Sequence, residues 1–480
     1  MIGRSKESKI LKDLYESDES QFVAVCGRRR IGKTFLIDET FGGNFAFRHS
    51  GLSPAENMPD DEKNAYRNQL RHFSNSLKLY GAKIKKCPED WLEAFFQLEL
   101  YLQSIDNGSR QVVFIDELPW LDTPRSGFIT ALEAFWNTWG CSRKNLMLIV
   151  CGSATSWMDD KLINNHGGLY GRLTRQIFLE PFSLKECEEF FAEKKMNLSR
   201  YDITCAYMVC GGIPYYLNYY SMDCSLTQNI DRLFFGKKAP LKDEFNRLFD
   251  SVFANGDYMK SLVRAVAKKR TGCTRDEICA SLGLSSSGDL SKCLRSLIVS
   301  DFIVKYIPLG EKRRQERYKL LDPFCDFYLK FVENNEKLCD GFWLANVENQ
   351  SVVSWRGLAF ENVCFNHINQ IKKALGISGV STEQFAWSKF GDEEEGAQID
   401  MVIQRKDNIA NMCEIKFYSD DVAVDKKMDL QIRNRAGALR AELPKNYGVM
   451  STLITTYGLK DNAYRWVFQN VITLDDLFED

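Results

Sequence analysis

The sequence predicts an α/β fold, with a parallel sheet near the amino terminus, a helical segment after it and two further modules. Three short apolar runs, Phe22–Cys26, Val112–Ile115 and Leu146–Cys151, have the character of strands buried on both faces. Apolar residues at helical spacing, as in 91–102, lie between these runs. Strands that alternate with helices are typical of a parallel sheet covered by helices.

Changes in pattern along the 480 residues divide the chain into four parts, 1–182, 183–255, 256–335 and 340–480. The net charge is −2, so any surface for nucleic acid must be local. The opening residues lack the apolar core of a secretion signal, and no apolar run is long enough to span a membrane. We therefore expect a cytoplasmic protein without a membrane partner.

A glycine-containing stretch, Gly27–Thr34, directly follows the first apolar run and has the pattern G-x-x-x-x-G-K-T. The glycines let backbone N–H groups point inward, and the helix that follows adds positive potential, so such a loop holds a polyphosphate. Lys33 then reaches the β- and γ-phosphates, and Thr34 places its hydroxyl on Mg²⁺. We expect ATP and Mg²⁺ as cofactors, bound through Gly27, Arg30, Gly32, Lys33 and Thr34.

Two acids, Asp116 and Glu117, close the second apolar run. They fall at the carboxyl end of a predicted strand, where open α/β sheets bind ligands. We expect Asp116 to hold Mg²⁺ and Glu117 to polarise the water that attacks the γ-phosphate.

Two polar residues beside later strands are further candidates. Ser153 follows the run at Leu146–Cys151 and is either a sensor of the γ-phosphate or a plain helix cap. Arg172 precedes a predicted strand at Gln176–Glu180. It is either an arginine finger that reaches the nucleotide of a neighbouring subunit, which predicts a homo-oligomer, or a surface ion pair.

The third part is locally basic, with fourteen Lys or Arg against seven Asp or Glu in 257–320. Three predicted helices and a two-stranded ribbon with a basic tip at Lys312–Arg314 indicate a winged helix, a variant of the helix-turn-helix. Such a module either contacts DNA or packs only within its own chain.

A second chemical cluster lies near the carboxyl terminus. Two strands, Gln398–Ile403 and Ala410–Lys416, are joined by a turn, which puts Asp400, Glu414 and Lys416 on the same side of a sheet. Two acids and a lysine of this kind suit a metal-dependent phosphodiesterase. An exposed charged hairpin, or a version that only binds DNA, is the alternative.

The first 255 residues resemble the archaeal-type ATPases of the STAND branch, an AAA-like group of P-loop NTPases. The resemblance rests on GRRRIGKT (27–34), VVFIDE (112–117), GSAT (152–155) and LYGR (169–172). The segment CGGIPYYL (210–217) is similar to a lid motif of that family, which implies a helical lid and an adenine contact by Pro214.

The last part resembles the PD-(D/E)XK restriction-endonuclease-like fold that is often fused to these ATPases. The resemblance implies metal ligands at Glu361, Asp400 and Glu414 and a catalytic role for Lys416. Two functions then compete. One is an ATPase that controls a metal-dependent DNA nuclease, in defence or in the processing of mobile-element DNA. The other is an ATP-switched DNA-binding regulator with an inactive nuclease fold.

Overall fold

The computed structural model describes residues 2–53, 62–153, 157–163, 167–253, 255–283, 288–309, 315–335, 339–389 and 397–479. The chain forms two compact units. The first comprises Met1–Pro181, Asn246–Met259 and Ser291–Ser300. The second comprises Phe182–Phe245, Lys260–Leu290 and Asp301–Asp480.

A five-stranded parallel sheet forms the centre of the first unit. Its strands are β1 (Gln21–Gly27), β2 (Phe47–Ser50), β3 (Gln111–Asp116), β4 (Leu146–Ser153) and β5 (Arg175–Leu179). They lie in the order β2-β3-β4-β1-β5, and every neighbouring pair is parallel. Every residue of β1, β3 and β4 is buried, as the uninterrupted apolar runs predict.

Helices cover both faces of this sheet. They are α1 (Ser5–Tyr15), α2 (Lys33–Phe41), α3 (Glu62–Leu79), α4 (Trp91–Ser104), α5 (Leu118–Leu121) and α6 (Phe128–Thr138). Because side chains alternate along a strand, Val23 and Val25 of β1 pack with α1 and α2, whereas Phe22 and Ala24 join the core built by α3, α4 and α6. A single turn of π-helix, Met158–Ile163, follows β4.

The second unit begins with helices. These are α7 (Leu184–Glu193), α8 (Arg200–Cys210), α9 (Pro214–Leu217) and α10 (Leu226–Phe234). The next helix, α11 (Glu244–Val252), belongs mostly to the segment Asn246–Met259 of the first unit. Gly212, at φ +66°, follows α8, and a Cβ there would lie 2.3 Å from the carbonyl oxygen of Phe182. Pro214 occupies the first turn of α9. The glycines and the proline therefore end one helix and begin the next, as the sequence predicts.

The basic region consists of three helices and a small antiparallel sheet. The elements are α12 (Gly256–Ala267), β6 (Cys273–Thr274), α13 (Arg275–Leu282), α14 (Gly288–Val299), β7 (Ile303–Tyr306) and β8 (Arg317–Leu320). The strands lie in the order β6-β8-β7, which is the ribbon that the sequence predicts with one short strand added. The basic tip at Lys312–Arg314 lies outside the described residues.

The rest of the chain is built on a mixed sheet. Its helices are α15 (Pro323–Phe331), α16 (Phe342–Asn346), α17 (Gln350–Asn366), α18 (Ile368–Ala374), α19 (Lys426–Glu442) and α20 (Leu474–Leu477). Its strands are β9 (Thr382–Lys389), β10 (Ala397–Arg405), β11 (Ile409–Lys416), β12 (Gly448–Thr455) and β13 (Asn470–Ile472). They lie in the order β13-β12-β11-β10-β9, with antiparallel pairs from β9 to β11 and parallel pairs from β11 to β13.

The predicted α/β fold with a parallel amino-terminal sheet is therefore confirmed. The division into an ATPase core, a lid, a winged helix and a carboxyl-terminal domain stays a prediction. In the described part of the chain, no helix combines the length and the apolar character needed to cross a bilayer.

Candidate functional site

The carboxyl edge of the first sheet brings the glycine-containing loop and the polar candidates together. Gly27 ends β1 and is paired with Ser153 on β4 and with Leu179 on β5. A Cβ at Gly27 would lie 2.6 Å from the carbonyl oxygen of Leu179. Only glycine therefore lets the chain pass this neighbour and enter the loop.

The loop has two residues in the left-handed region before α2 begins at Lys33. Arg30 has φ +69° and Gly32 has φ +92°. The Lys33 ammonium is buried and donates to the carbonyl oxygens of Gly27 and Arg28, each at 3.0 Å. The lysine is thus held inside the loop, where phosphate oxygens can replace the carbonyl oxygens as acceptors.

Thr34 and Asp116 are in direct contact, although they are 82 positions apart in the sequence. The Thr34 hydroxyl donates to Oδ2 of Asp116 at 2.7 Å. Hydroxyl and carboxylate oxygens are ligands that Mg²⁺ accepts, so this pair fits the ion that the sequence predicts. The contact also shows that the loop and the end of β3 form one site.

Glu117 lies beside this pair and has an unusual backbone conformation. Its φ of +47° is in the left-handed region, which is strained for a residue with a branched or long side chain. Burial raises the pKa of the Glu117 carboxyl, and the proximity of Asp116 raises it further, whereas Lys33 and Arg29 act in the opposite direction. A carboxylate with a raised pKa is better suited to accept a proton from water at neutral pH.

The two other candidates lie at opposite ends of the parallel strands, Ser153 at the carboxyl ends and Arg172 near the amino ends. Ser153 is buried at the carboxyl end of β4, beside the loop. Arg172 is exposed and precedes the amino end of β5. The five paired residues between that end and Gly27 correspond to roughly 15 Å of strand. Arg172 therefore lies near the amino end of β5, whereas the loop lies at the carboxyl end of β1. The predicted finger role on a neighbouring subunit stays a prediction.

Arg29 was not singled out by the sequence pattern. Its guanidinium lies 5.6 Å from the centre of the Trp120 ring, and its positive charge acts to lower the pKa of Glu117. Because Arg29 is the middle one of three consecutive arginines, the sequence gave no reason to choose it over its neighbours.

In the second unit, the predicted hairpin holds its charged residues together. Met401 pairs with Cys413, so Asp400 and Glu414 are opposed at the next position. Oδ2 of Asp400 accepts a hydrogen bond from the Ile415 N–H at 3.0 Å. Burial raises the pKa of Asp400, and Glu414 raises it further. The β9–β10 pairing shifts register between Ile399 and Val402, a type of irregularity that is common beside functional sites.

Each acid of the predicted metal set faces a cation. Lys416 Nζ lies 2.7 Å from Oε1 of Glu414, and a nitrogen of Arg435 lies 2.5 Å from Oε2. The guanidinium of Arg270 is paired with the carboxylate of Glu361 and also attracts Asp400. Among the described residues, no group of three or more His, Cys, Asp or Glu side chains is arranged to hold a metal ion.

Glu361 and Glu414 are ion-paired with protein cations, and Arg270 also attracts Asp400. The role of these three acids as metal ligands stays a prediction. The sequence pattern did not identify Arg270 or Arg435. Arg270 ends a basic run, Lys268–Arg270, which is the only signal that could have drawn attention to it.

Pro214 belongs to the second unit, so its predicted contact with adenine stays a prediction.

The fold and the loop geometry of the first unit define a nucleotide-binding P-loop site. Residues 1–220 match the family model of an ATPase domain found predominantly in Archaea. The match supports an ATPase domain of the archaeal type in this segment, and the loop Gly27–Thr34 lies within it.

Over most of its length, the chain is similar to the uncharacterized protein MJECL04 of Methanocaldococcus jannaschii. The two are 25% identical over 422 residues, which cover 87% of each chain. The Walker-type ATPase PABY2304 of Pyrococcus abyssi is 19% identical, with a TM-score of 0.46 over 69% of this chain and 96% of that one. The ORC2 protein of Aeropyrum pernix is 12% identical, with a TM-score of 0.39 over 68% of this chain and 91% of that one.

Proposed function

We propose that the chain hydrolyses ATP with Mg²⁺ at the P-loop edge of the first sheet, and that hydrolysis controls a carboxyl-terminal domain that acts on DNA. The proposal of Mg²⁺-dependent ATP hydrolysis rests on the hydrogen bond from Thr34 to Asp116, because this bond joins the two predicted Mg²⁺ ligands. Mg²⁺ would supply charge neutralisation on the phosphates.

The positions of the surrounding side chains support the following roles. Lys33 binds phosphate oxygens in place of the loop carbonyls. Glu117, next to Asp116, orients the attacking water and accepts its proton. Ser153 is close enough to the loop to sense the γ-phosphate.

The second half of the proposal rests on the carboxyl-terminal sheet. Along the chain, the elements of this domain follow the order helix, three antiparallel strands, helix and parallel strand. Asp400, Glu414 and Lys416 lie on one face of the resulting sheet. This supports descent from nucleases of the PD-(D/E)XK type. The ion pairs on Glu361 and Glu414 favour a second candidate, an ATP-switched regulator in which the domain binds DNA without cleaving it.

One experiment distinguishes the candidates. The full chain is incubated with linear, circular, single-stranded and branched DNA, with and without ATP, in Mg²⁺ or Mn²⁺. Cleavage that is lost in Asp400→Asn and kept in Asp407→Asn, an acid in the exposed hairpin turn, supports the nuclease. ATP-dependent binding without cleavage supports the regulator. Neither binding nor cleavage of any DNA would overturn this half of the proposal.

A further inference from the structure

A basic cavity in the second unit is separate from the P-loop. Its volume is about 300 Å³, and it lies between the end of α12, strand β8 and helices α15 and α17. Five cations line it, against the single carboxylate of Asp326 among the described lining residues. The cations are Lys268, Lys269, Arg270, Lys319 and Lys330.

Lys319 is the most informative of these residues, because it is only 6% exposed. Its ammonium lies 4.6 Å from the centre of the Phe365 ring, and it takes part in no ion pair among the described residues. Burial of the Lys319 ammonium is costly, since its charge has been removed from water, and the attraction of Asp326 and Asp400 offsets this only in part, because the pKa of Lys319 is lowered to about 8. An anion in the cavity would offset that cost.

Asn362 points to the same conclusion independently. It is 8% exposed, it lines the cavity, and its side-chain oxygen has no hydrogen-bond partner in the described structure. Because the oxygen and nitrogen of an amide are assigned from their surroundings, this group is free either to accept from a ligand or to donate to one. A buried polar group of this kind is expected to have a partner.

The carboxylate of Asp326 would repel an anion in the cavity, but it already has a hydrogen-bond partner. It accepts a hydrogen bond from the Trp355 indole at 2.7 Å. Lys268 donates to Ser281, Lys269 is paired with Glu277, and Arg270 is paired with Glu361. Lys268, Lys319 and Lys330 are in no ion pair among the described residues. The balance of charge at the wall of the cavity therefore remains positive.

We propose that this cavity binds the phosphate group of a nucleotide or of a nucleic-acid strand end. Lysine and arginine are the side chains that bind phosphate most strongly, and the hydroxyls of Ser351 and Ser354 at the rim add neutral donors. The volume is at the lower end of the range for small-molecule sites and suits one nucleotide. The proposal requires neither ATP hydrolysis nor a metal in the carboxyl-terminal domain.

The test uses the full chain with Lys33→Ala, so that the P-loop does not contribute. The probes are AMP and a single-stranded DNA decamer with either a 5′-phosphate or a 5′-hydroxyl, measured by calorimetry. We expect AMP to bind, or the phosphorylated decamer to bind about tenfold or more tightly than the hydroxyl form. The first result identifies a free nucleotide as the ligand, and the second identifies a strand end.

Lys319→Met is expected to abolish the preference for phosphate, and Lys330→Gln to weaken it. Lys319→Met removes a buried charge and replaces it with an apolar chain of similar length, so loss of folding would not explain the effect. Lys427→Met, at an exposed site on α19, is the control and should leave binding unchanged. Equal affinity for the two decamers without AMP binding would overturn the proposal. A preference that survives both Lys319→Met and Lys330→Gln would also overturn it.

Discussion

The guanidinium of Arg270 is paired with the carboxylate of Glu361, although 90 residues separate them in the sequence. Glu361 is 7% exposed, whereas the Arg270 side chain is 37% exposed. Arg270 follows a helix of the predicted winged helix, and Glu361 is the predicted first acid of the nuclease-type domain. The basic module thus supplies the cation that neutralises this acid.

Removal of that cation is expected to change how the domain binds metal. In Arg270→Gln, Glu361 and Asp400 lose a positive neighbour while Glu414 still repels Asp400, so a divalent ion becomes the favourable way to offset the negative charge. We expect calorimetry to show Mn²⁺ binding at least about tenfold tighter in this variant than in the wild type.

The matched control is Arg433→Gln, which removes an exposed arginine paired with Asp429 on α19. It should leave Mn²⁺ affinity unchanged. If Arg270→Gln also binds no Mn²⁺, the acids do not form a metal site even without their cation, and the regulator becomes the better account.

The position of Arg172 leads to a prediction about assembly. Because it lies at the edge of the sheet away from its own P-loop, we expect it to act only on a neighbouring subunit. Neither Lys33→Ala nor Arg172→Ala should turn over ATP alone, but a mixture of the two should recover part of the wild-type rate. Arginine fingers contribute about 10³-fold or more to turnover. Mixed oligomers that show no recovery would argue that Arg172 has a structural role.

A buried histidine is expected to make the second unit sensitive to acid. His367 Nε2 accepts a hydrogen bond from the Leu184 N–H at 2.9 Å, and burial lowers its pKa to about 4. The folded state therefore favours the neutral ring, and this stabilisation is complete above pH 6.5 and is lost as the pH falls towards 4. A shift of this size is worth roughly 3 kcal/mol at most.

Urea unfolding of the wild type and of His367→Gln measures this effect. We expect the variant to be less stable at pH 7.5 and the difference to shrink at pH 5. A difference that is the same at both pH values would show that protonation of His367 does not contribute.

Much of the first unit could be predicted from the sequence, because strands buried on both faces have continuous apolar runs and the P-loop is a local pattern. The hairpin that opposes Asp400 and Glu414 was also predictable, since strand alternation and a short turn determine it. The strand order and the pairs Arg270–Glu361 and Arg435–Glu414 were not. These depend on contacts between distant segments, for which one sequence carries no local signal.

The nucleotide loop itself is tested by Lys33→Ala. The ammonium is the only part of the side chain that can bind phosphate, so its removal is expected to lower ATP affinity by at least about tenfold. Calorimetry with ATP and Mg²⁺ measures the change. Lys6→Ala, at an exposed position of α1, should bind ATP as the wild type does. Unchanged affinity in a folded Lys33→Ala protein would contradict the assignment of the loop.

The measurement that tests the proposed function most directly is the rate of ATP hydrolysis in Glu117→Gln. The substitution keeps the size of the side chain and the Thr34–Asp116 pair but removes the carboxylate that accepts a proton. We predict that ATP binding is retained and that turnover falls by about 10²-fold or more, while Glu39→Gln, at an exposed site on α2, hydrolyses ATP normally. Turnover equal to that of the wild type would contradict the account.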